Sequence, residues 1–210
     1  EPLLRPFIMQ LWRSKKNMNN KFSIGIFDSG LGGLTVLKEL KHLLPEERFI
    51  YFGDTAYVTY GNKSKRANQN RSKNIVNFLT SKKVKLIVVA CNSASSVAIK
   101  TIRGLTKTPI IDVISPAVKK ACLITQNHQI GIIGTQTTIN SNAYQSQIHL
   151  IDNKIKIFTQ ACPLLVPIIE EGLYKHKLGK QAIQFYLHSL NQHNIDTLIL
   201  GCTHYPIMKK

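Results

Sequence analysis

Residues 86–93 read LIVVACNS, an unbroken apolar run that ends in a cysteine and two polar residues. A strand that is apolar at every position suits a sheet covered by helices on both faces, because neither face then meets water. A second run of this kind, LILGCTH, occupies residues 198–204. The pair predicts two similar halves, each with a buried strand that leads directly into a cysteine.

Short apolar strands and helical stretches alternate on either side of these two runs. This order predicts an α/β fold with two pseudo-symmetric domains, each a mainly parallel sheet flanked by helices. The predicted strands cover residues 23–27, 48–52, 85–90, 109–113, 129–133, 154–158 and 196–200. The predicted helices cover residues 34–44, 64–81 with Ser64 as the cap, 94–105, 116–125 and 178–191. We expect the first domain to span 21–114 and the second 115–210.

The chain is strongly basic: Lys and Arg number 28 against 11 acids, for a net charge of +17. The lysines are scattered, without a stripe of Arg and aromatic residues, so a solvated surface is favoured over a nucleic-acid site. A positive field would also attract a small dicarboxylate substrate. No apolar run approaches the roughly 20 residues that a membrane span requires. We therefore expect neither nucleic acid nor a membrane as a partner.

The first 20 residues lack clear periodicity and the charge-then-apolar order of a secretory signal. We expect residues 1–20 to be a disordered extension, with Met18 near the natural start; a short docking arm is the alternative. The four cysteines have no C-x-x-C spacing and do not resemble a disulfide scaffold, which indicates a reducing, cytoplasmic compartment. Of these, Cys122 and Cys162 are expected to fill packing positions.

Three chemically useful side chains fall where predicted strands end: Asp28, Cys91 and Cys202. Ligands of open α/β sheets bind at the carboxyl ends of strands, so this placement favours a functional role for them. Residues 28–34, DSGLGGL, form a glycine turn that opens a helix, whose N-terminus favours an anion such as a carboxylate. The turn departs from the dinucleotide fingerprint at Thr35, so a nucleotide cofactor is not favoured.

Five segments resemble the motifs of glutamate racemases, in the order that this family has them. They read IFDSGLGGL at 26–34, FGDTA and YGNKS at 52–56 and 60–64, ACNSAS at 90–95, ACPL at 161–164 continuing to EEG at 170–172, and GCTHYP at 201–206. The HYP that follows Cys202 is similar to the glutamate branch and not to the aspartate branch. Tyr57, Thr59 and Ser93 depart from the usual family residues.

The resemblance implies a cofactor-independent interconversion of L- and D-glutamate that supplies peptidoglycan, at a site in the cleft between the domains. With no electron sink, two groups must flank Cα, one as base and one as acid. The resemblance assigns these roles to Cys91, for the D-enantiomer, and Cys202, for the L-enantiomer. It makes Asp28 the assistant of Cys91, and Glu170 and His204 those of Cys202. The implied substrate-binding residues are Asp28, Ser29, Tyr60, Gly61, Asn92, Ser93, Thr203 and His204.

Several alternatives remain open at the level of sequence. The chain could be an aspartate or other amino-acid racemase, or a Cys-His hydrolase that needs only one cysteine. It could also be an inactive truncated relative that acts as a binding protein for an acidic partner or nucleic acid. A metal site has no compact ligand spacing in its favour. The family resemblance also implies a homodimer and an interaction with DNA gyrase. Family members continue beyond the position of Lys210 and return to the first domain, so we expect this return to be missing.

Overall fold

The computed structural model describes residues 22–209. Its first sheet has four parallel strands in the order β2-β1-β3-β4. They are β1 (Ile24–Asp28), β2 (Phe49–Gly53), β3 (Leu86–Val89) and β4 (Ile110–Asp112). Because all four run the same way, their carboxyl ends form one edge of the sheet.

The residues of β3 alternate between two apolar layers, as an apolar strand must when both faces are covered. Ile87 and Val89 pack into a cluster that includes Val76. Leu86 and Val88 lie on the other face, in a cluster that includes Leu40. The prediction that helices cover this strand on both sides is confirmed.

Three helices build these layers in the first half of the chain: α1 (Leu34–Leu43), α2 (Lys65–Ser81) and α3 (Asn92–Arg103). Ser64 caps α2, since its hydroxyl accepts the backbone N–H of Ala67 at 3.2 Å. The helix α3 begins two residues earlier than predicted. Its cap is the thiol of Cys91, which accepts the N–H of Ala94 at 3.5 Å. Cysteine is not among the preferred capping residues, so the sequence pattern placed the start too late.

The second sheet is also parallel, in the order β6-β5-β7. Its strands are β5 (Gln129–Gly134), β6 (Lys156–Ala161) and β7 (Thr197–Gly201). The helices around it are α4 (Ile114–Ile124), α5 (Gln136–Asn140), α6 (Ala143–Ile151), α7 (Leu165–Glu170) and α8 (Lys177–Leu187). Short 3₁₀ helices lie at Thr55–Tyr57, Tyr60–Asn62, Leu173–Lys175, Leu190–Gln192 and Tyr205–Lys209.

The sequence analysis did not predict α5, α6 and α7. The first is a single turn of five residues, three of which are Thr or Asn, and these have weak helix propensity. The last contains Pro167, which reads as a helix breaker although it stands in the first turn, where no intrahelical bond is lost. Short helices of this kind are held by tertiary packing, which the local pattern does not contain.

The predicted fold class is confirmed: two parallel sheets, each flanked by helices. The domain limits stay a prediction, with α4 beginning at Ile114, the last residue of the predicted first domain. The extension predicted over 1–20 lies outside the described residues. Within 22–209 no helix is long and apolar enough to cross a membrane.

Candidate active site

One pocket between the two sheets is lined by both cysteines. Cys91 follows β3 and Cys202 follows β7, so each sheet contributes one thiol from the carboxyl edge of its strands. Ten of the predicted site residues line this pocket: Ser29, Tyr60, Gly61, Cys91, Asn92, Ser93, Glu170, Cys202, Thr203 and His204. The structure therefore brings together residues that the sequence placed on five separate motifs.

Cys91 sits at the N-terminus of α3 among donors that favour a thiolate. The N–H of Ala94 points at its sulfur, and the thiol itself donates to the Ser29 hydroxyl across 3.6 Å. Burial nevertheless dominates and raises the pKa of the Cys91 thiol to about 12, with the Asp28 carboxylate adding to the effect. At neutral pH this thiol is therefore protonated.

Cys202 lines the same pocket from the second half of the chain. Burial raises the pKa of its thiol above the ordinary value, opposed by the backbone N–H of His204. Cys91, which lines the same pocket, raises the Cys202 pKa further. The Nδ1 atom of His204 lies 3.7 Å from the Cys202 sulfur.

His204 bridges Cys202 to an acid at the pocket rim. Its Nε2 atom lies 3.0 Å from Oε1 of Glu170, the last residue of α7. The side chain of His204 is 8% exposed and that of Glu170 is 38% exposed. The chain of groups thus runs from a buried thiol to a carboxylate in contact with water, which suits a path for protons.

Asp28 ends β1 and lies beneath the pocket, outside the set of residues that line it. Its carboxylate accepts the N–H of Gly30 at 3.0 Å and the hydroxyl of Thr203 at 3.4 Å. Burial raises the pKa of this carboxyl, although the N–H of Gly30 opposes the shift. Asp28 therefore joins the first sheet to the segment that follows Cys202.

Two glycines of the DSGLGGL turn are required by close contacts. A Cβ atom on Gly32 would lie 2.5 Å from Thr203 Oγ1 and 2.5 Å from His204 Cε1. A Cβ atom on Gly33 would overlap the Asp28 side chain. The turn thus lets the first half of the chain approach His204 at a distance that no side chain permits.

The segment that carries Tyr60 is fixed by an ion pair between the buried Asp54 and the partly exposed Arg71. The Tyr60 phenol donates to Asp54 at 2.5 Å. Arg71 donates to both oxygens of the same carboxylate, at 2.6 and 3.0 Å. The Arg71 guanidinium also lies 3.8 Å from the ring centre of Tyr57, one of the residues that depart from the family pattern. Bidentate pairs of this kind hold their partners in one geometry.

The sequence analysis missed Thr135, which lines the pocket and follows β5 directly. Its hydroxyl lies 2.9 Å from that of Ser93, and a Cβ atom on Gly61 would lie 2.7 Å from Thr135 Cβ. The rule that selected Asp28 and Cys91, a polar residue at the carboxyl end of a strand, would also have selected Thr135. Ser93 therefore contacts the second half of the chain as well as the pocket.

The other two cysteines lie outside the pocket lining. Cys162 is fully buried in the core of the second half, and Cys122 is half-buried against the α4 and α6 layer. Both occupy packing positions, as the sequence predicted.

We expect the two pocket thiols to react slowly with iodoacetamide. The thiolate is the reactive form, and a pKa of about 12 at Cys91 leaves very little of it at pH 7.5. Alkylation of Cys91 and Cys202 should be at least about tenfold slower than that of Cys122, whose pKa burial also raises but whose side chain is less buried. Alkylation of the pocket thiols should accelerate as the pH rises from 7 to 10, because deprotonation increases over that range. Peptide mass spectrometry at timed intervals measures this. Faster labelling of Cys91 than of Cys122 at pH 7.5 would contradict the raised pKa.

Comparison with known proteins agrees with this site. A family model of Asp/Glu/Hydantoin racemases matches residues 30–210. A glutamate racemase of Neisseria gonorrhoeae is 48% identical over 195 residues, covering 92% of this chain and 72% of the relative. A solved glutamate racemase isoform from Bacillus anthracis superposes with a TM-score of 0.88 at 38% identity, over 91% of this chain and 72% of that one. The Francisella tularensis glutamate racemase, solved in complex with D-glutamate, has a TM-score of 0.87 at 41% identity, over 91% and 72% of the two chains.

A fold of two parallel sheets, each presenting a cysteine to one shared pocket, defines an enzyme of the amino-acid racemase class. The chain belongs to the Asp/Glu/Hydantoin racemase family, in the group of the glutamate racemases. The resemblance that the sequence motifs indicated is confirmed.

Proposed function

We propose that this enzyme interconverts L- and D-glutamate by direct proton transfer between Cys91 and Cys202, without a cofactor. The observation that carries the proposal is the shared pocket, to which the two sheets contribute one thiol each. Inversion at Cα needs a base on one face and an acid on the other, and two identical groups allow the reaction to run in both directions.

The proton balance is simple. The thiolate of Cys202 removes the Cα proton of L-glutamate. The C–H bond breaks and leaves its electron pair on Cα, while a lone pair of the thiolate forms the new S–H bond. The Cys91 thiol then gives its proton to the opposite face, which yields D-glutamate and leaves Cys91 as thiolate. The reverse reaction starts from that thiolate. One proton enters and one leaves Cα, so no other reactant is required.

The substrate itself supplies the charge that activates the thiols. Burial holds both thiols in the neutral form, although N–H donors from Ala94 and His204 are aimed at their sulfurs. The ammonium group of a bound amino acid is a cation, and a nearby cation favours the thiolate. We infer that the base forms when substrate enters, as the S–H bond of Cys202 breaks and its proton passes to Nδ1 of His204. Both thiols are then protected from oxidation between turnovers.

The neighbouring groups have different tasks at the two thiols. His204, paired with Glu170, is placed to exchange a proton with Cys202 through Nδ1. Asp28 is placed to act on Cys91 through its charge, since their interaction raises the Cys91 pKa. The proposed substrate ligands are Asp28, Ser29, Tyr60, Gly61, Asn92, Ser93, Thr203 and His204, of which all but Asp28 line the pocket. In this assignment Cys91 acts on the D-enantiomer and Cys202 on the L-enantiomer.

Exchange of the Cα proton with solvent tests the proposal. In deuterated water without cofactor, L-glutamate should lose optical rotation while its Cα acquires deuterium, and D-glutamate should behave alike. L-Aspartate in the same assay should react at least about 100-fold more slowly, since pocket contacts made for one chain length reject another. Folded enzyme that exchanges neither enantiomer would rule out the racemase assignment; faster reaction with aspartate would transfer it to that substrate.

The biological role and the cellular location that we propose follow from this activity. We propose that the D-glutamate product supplies peptidoglycan and that the enzyme works in the cytoplasm. The homodimer and the DNA gyrase interaction implied by the family resemblance stay predictions.

A further inference from the structure

Tyr144 is a buried side chain for which the proposed reaction has no role. It stands in the first turn of α6, is 1% exposed, and packs in the core of the second half with Ile130 and Ile199. Its ring lies against the end of β7, where a Cβ atom on Gly201 would be 3.4 Å from Cε2. The phenol donates a hydrogen bond of 2.6 Å to Oδ1 of Asn92.

Tyr144 lies against the immediate neighbours of both cysteines, one through this bond and the other through its ring. Asn92 follows Cys91 and is the first residue of α3, whereas Gly201 precedes Cys202 at the end of β7. The two bonded side chains are 52 residues apart in sequence. The contact therefore holds one side of the pocket relative to the other.

The bond also decides which end of the Asn92 amide faces the phenol. A buried phenol must give its proton to an acceptor, and among residues 22–209 that acceptor is Asn92 Oδ1. A flipped amide would present its NH₂ group, which has donors and no free lone pair. The phenol proton would then be buried without a partner, which is unfavourable. Burial of Tyr144 thus selects one of the two amide orientations.

The selected orientation leaves the Asn92 amide nitrogen available to the pocket. Asn92 lines the pocket. Its Nδ2 atom has no hydrogen-bond partner in the described part of the chain, and it is not among the buried side-chain atoms there that lack one. Nδ2 is therefore accessible, and the pocket is the space that Asn92 faces. The amide offers two N–H donors there and no acceptor.

We propose that Tyr144 is a positioning residue, which holds the Asn92 amide so that it presents donors to a substrate carboxylate and excludes the substrate ammonium from that place. The inference rests on the proposed glutamate racemisation, since that reaction supplies the carboxylate. The nearby N-terminus of α3, a helix of 12 residues, favours an anion at the same place.

Replacement of Tyr144 by phenylalanine tests this role, with Tyr186→Phe as the matched control. Tyr186 is also buried in the second half, but its hydroxyl accepts the backbone N–H of Leu164 and does not contact Asn92. Tyr144→Phe should raise KM for both enantiomers about tenfold and change kcat by less than about threefold, as expected when a binding contact is lost. Tyr186→Phe should leave KM unchanged.

A double-mutant cycle separates positioning from general destabilisation. In an Asn92→Ala background, Tyr144→Phe should not raise KM further, because the amide that it orients is gone. An additional tenfold increase there, or an unchanged KM in Tyr144→Phe alone, would overturn the proposal.

A spectroscopic measurement keeps the test independent of turnover. The Asn92 side-chain amide signals in a ¹⁵N–¹H spectrum are identified by their loss in Asn92→Ala. They should move in Tyr144→Phe and stay in place in Tyr186→Phe. Unmoved signals in Tyr144→Phe would overturn the positioning role even if racemisation is confirmed. Failure of the wild-type enzyme to turn over glutamate would instead count against the proposed function and would leave the amide result interpretable.

Discussion

Replacing Cys91 by serine is expected to lower kcat/KM by about 1000-fold for both glutamate enantiomers, and Cys202→Ser should do the same. A serine hydroxyl is a much weaker acid than a thiol, so general acid-base catalysis, which contributes about 10²- to 10⁴-fold, is lost on one face of Cα. The two directions must fall by the same factor. Enantiomers have equal free energies, so the equilibrium constant is unity and kcat/KM is equal in both directions.

Exchange without inversion should distinguish the two serine variants. Cys91→Ser retains the Cys202 base, so L-glutamate should acquire deuterium at Cα while keeping its configuration. Cys202→Ser should show the same behaviour with D-glutamate. Cys122→Ser is the control, because this half-buried cysteine does not line the pocket, and its rate should match the wild type. Interconversion that persists within about tenfold in either pocket variant would favour chemistry with a single cysteine, such as that of a Cys-His hydrolase.

The second large effect is expected from the addition of one methyl group. Gly32→Ala places a Cβ atom 2.5 Å from both Thr203 Oγ1 and His204 Cε1. The His204 ring cannot move freely, since it is buried and held by Glu170 on its other side. We expect kcat/KM to fall about 100-fold, or roughly 2.7 kcal/mol in barrier, together with a loss of about 1–3 kcal/mol in folding stability from overpacking.

Gly104→Ala is the matched control for this substitution. Gly104 ends α3, has an ordinary φ of −78°, and a Cβ atom there would meet only Thr101 O at 3.8 Å. It should keep wild-type kcat/KM, and its melting temperature should not fall. Steady-state kinetics and thermal melts of the two variants measure both effects. A Gly32→Ala enzyme that is folded and fully active would show that the close contact with His204 has no catalytic importance.

Much of the fold was readable from local patterns. All seven strands were predicted to within one to three residues at each end, because a strand that is covered on both faces is a continuous apolar run such as 86–90. The capped helix α2 was found through Ser64. The short helices α5 and α7 were missed because packing against the second sheet stabilises them, and their own residues have weak propensity or contain proline.

Most residues of the candidate active site could also be predicted from the sequence. Cys91, Cys202 and Asp28 followed from the single rule that functional residues lie at the carboxyl ends of parallel strands. Thr135 follows the same rule, because it comes directly after β5, so the sequence contained the signal for this residue as well. Tyr144 obeys no such rule: it lies within a helix, and nothing in its sequence neighbourhood indicates that its phenol reaches Asn92.

The sequence by itself determined that each of two apolar strands leads into a cysteine at the carboxyl edge of its own parallel sheet. Strand periodicity and chain direction are local properties, so they can be read from the sequence. Tertiary structure decided the state of those thiols. Burial raises the pKa of Cys91 to about 12 and also raises that of Cys202, against the donors that surround them. It also decided that Gly32 lies against His204 and that Tyr144 orients Asn92. A pKa and a contact depend on atoms that are close in space, and in this protein those atoms come from segments far apart in the chain.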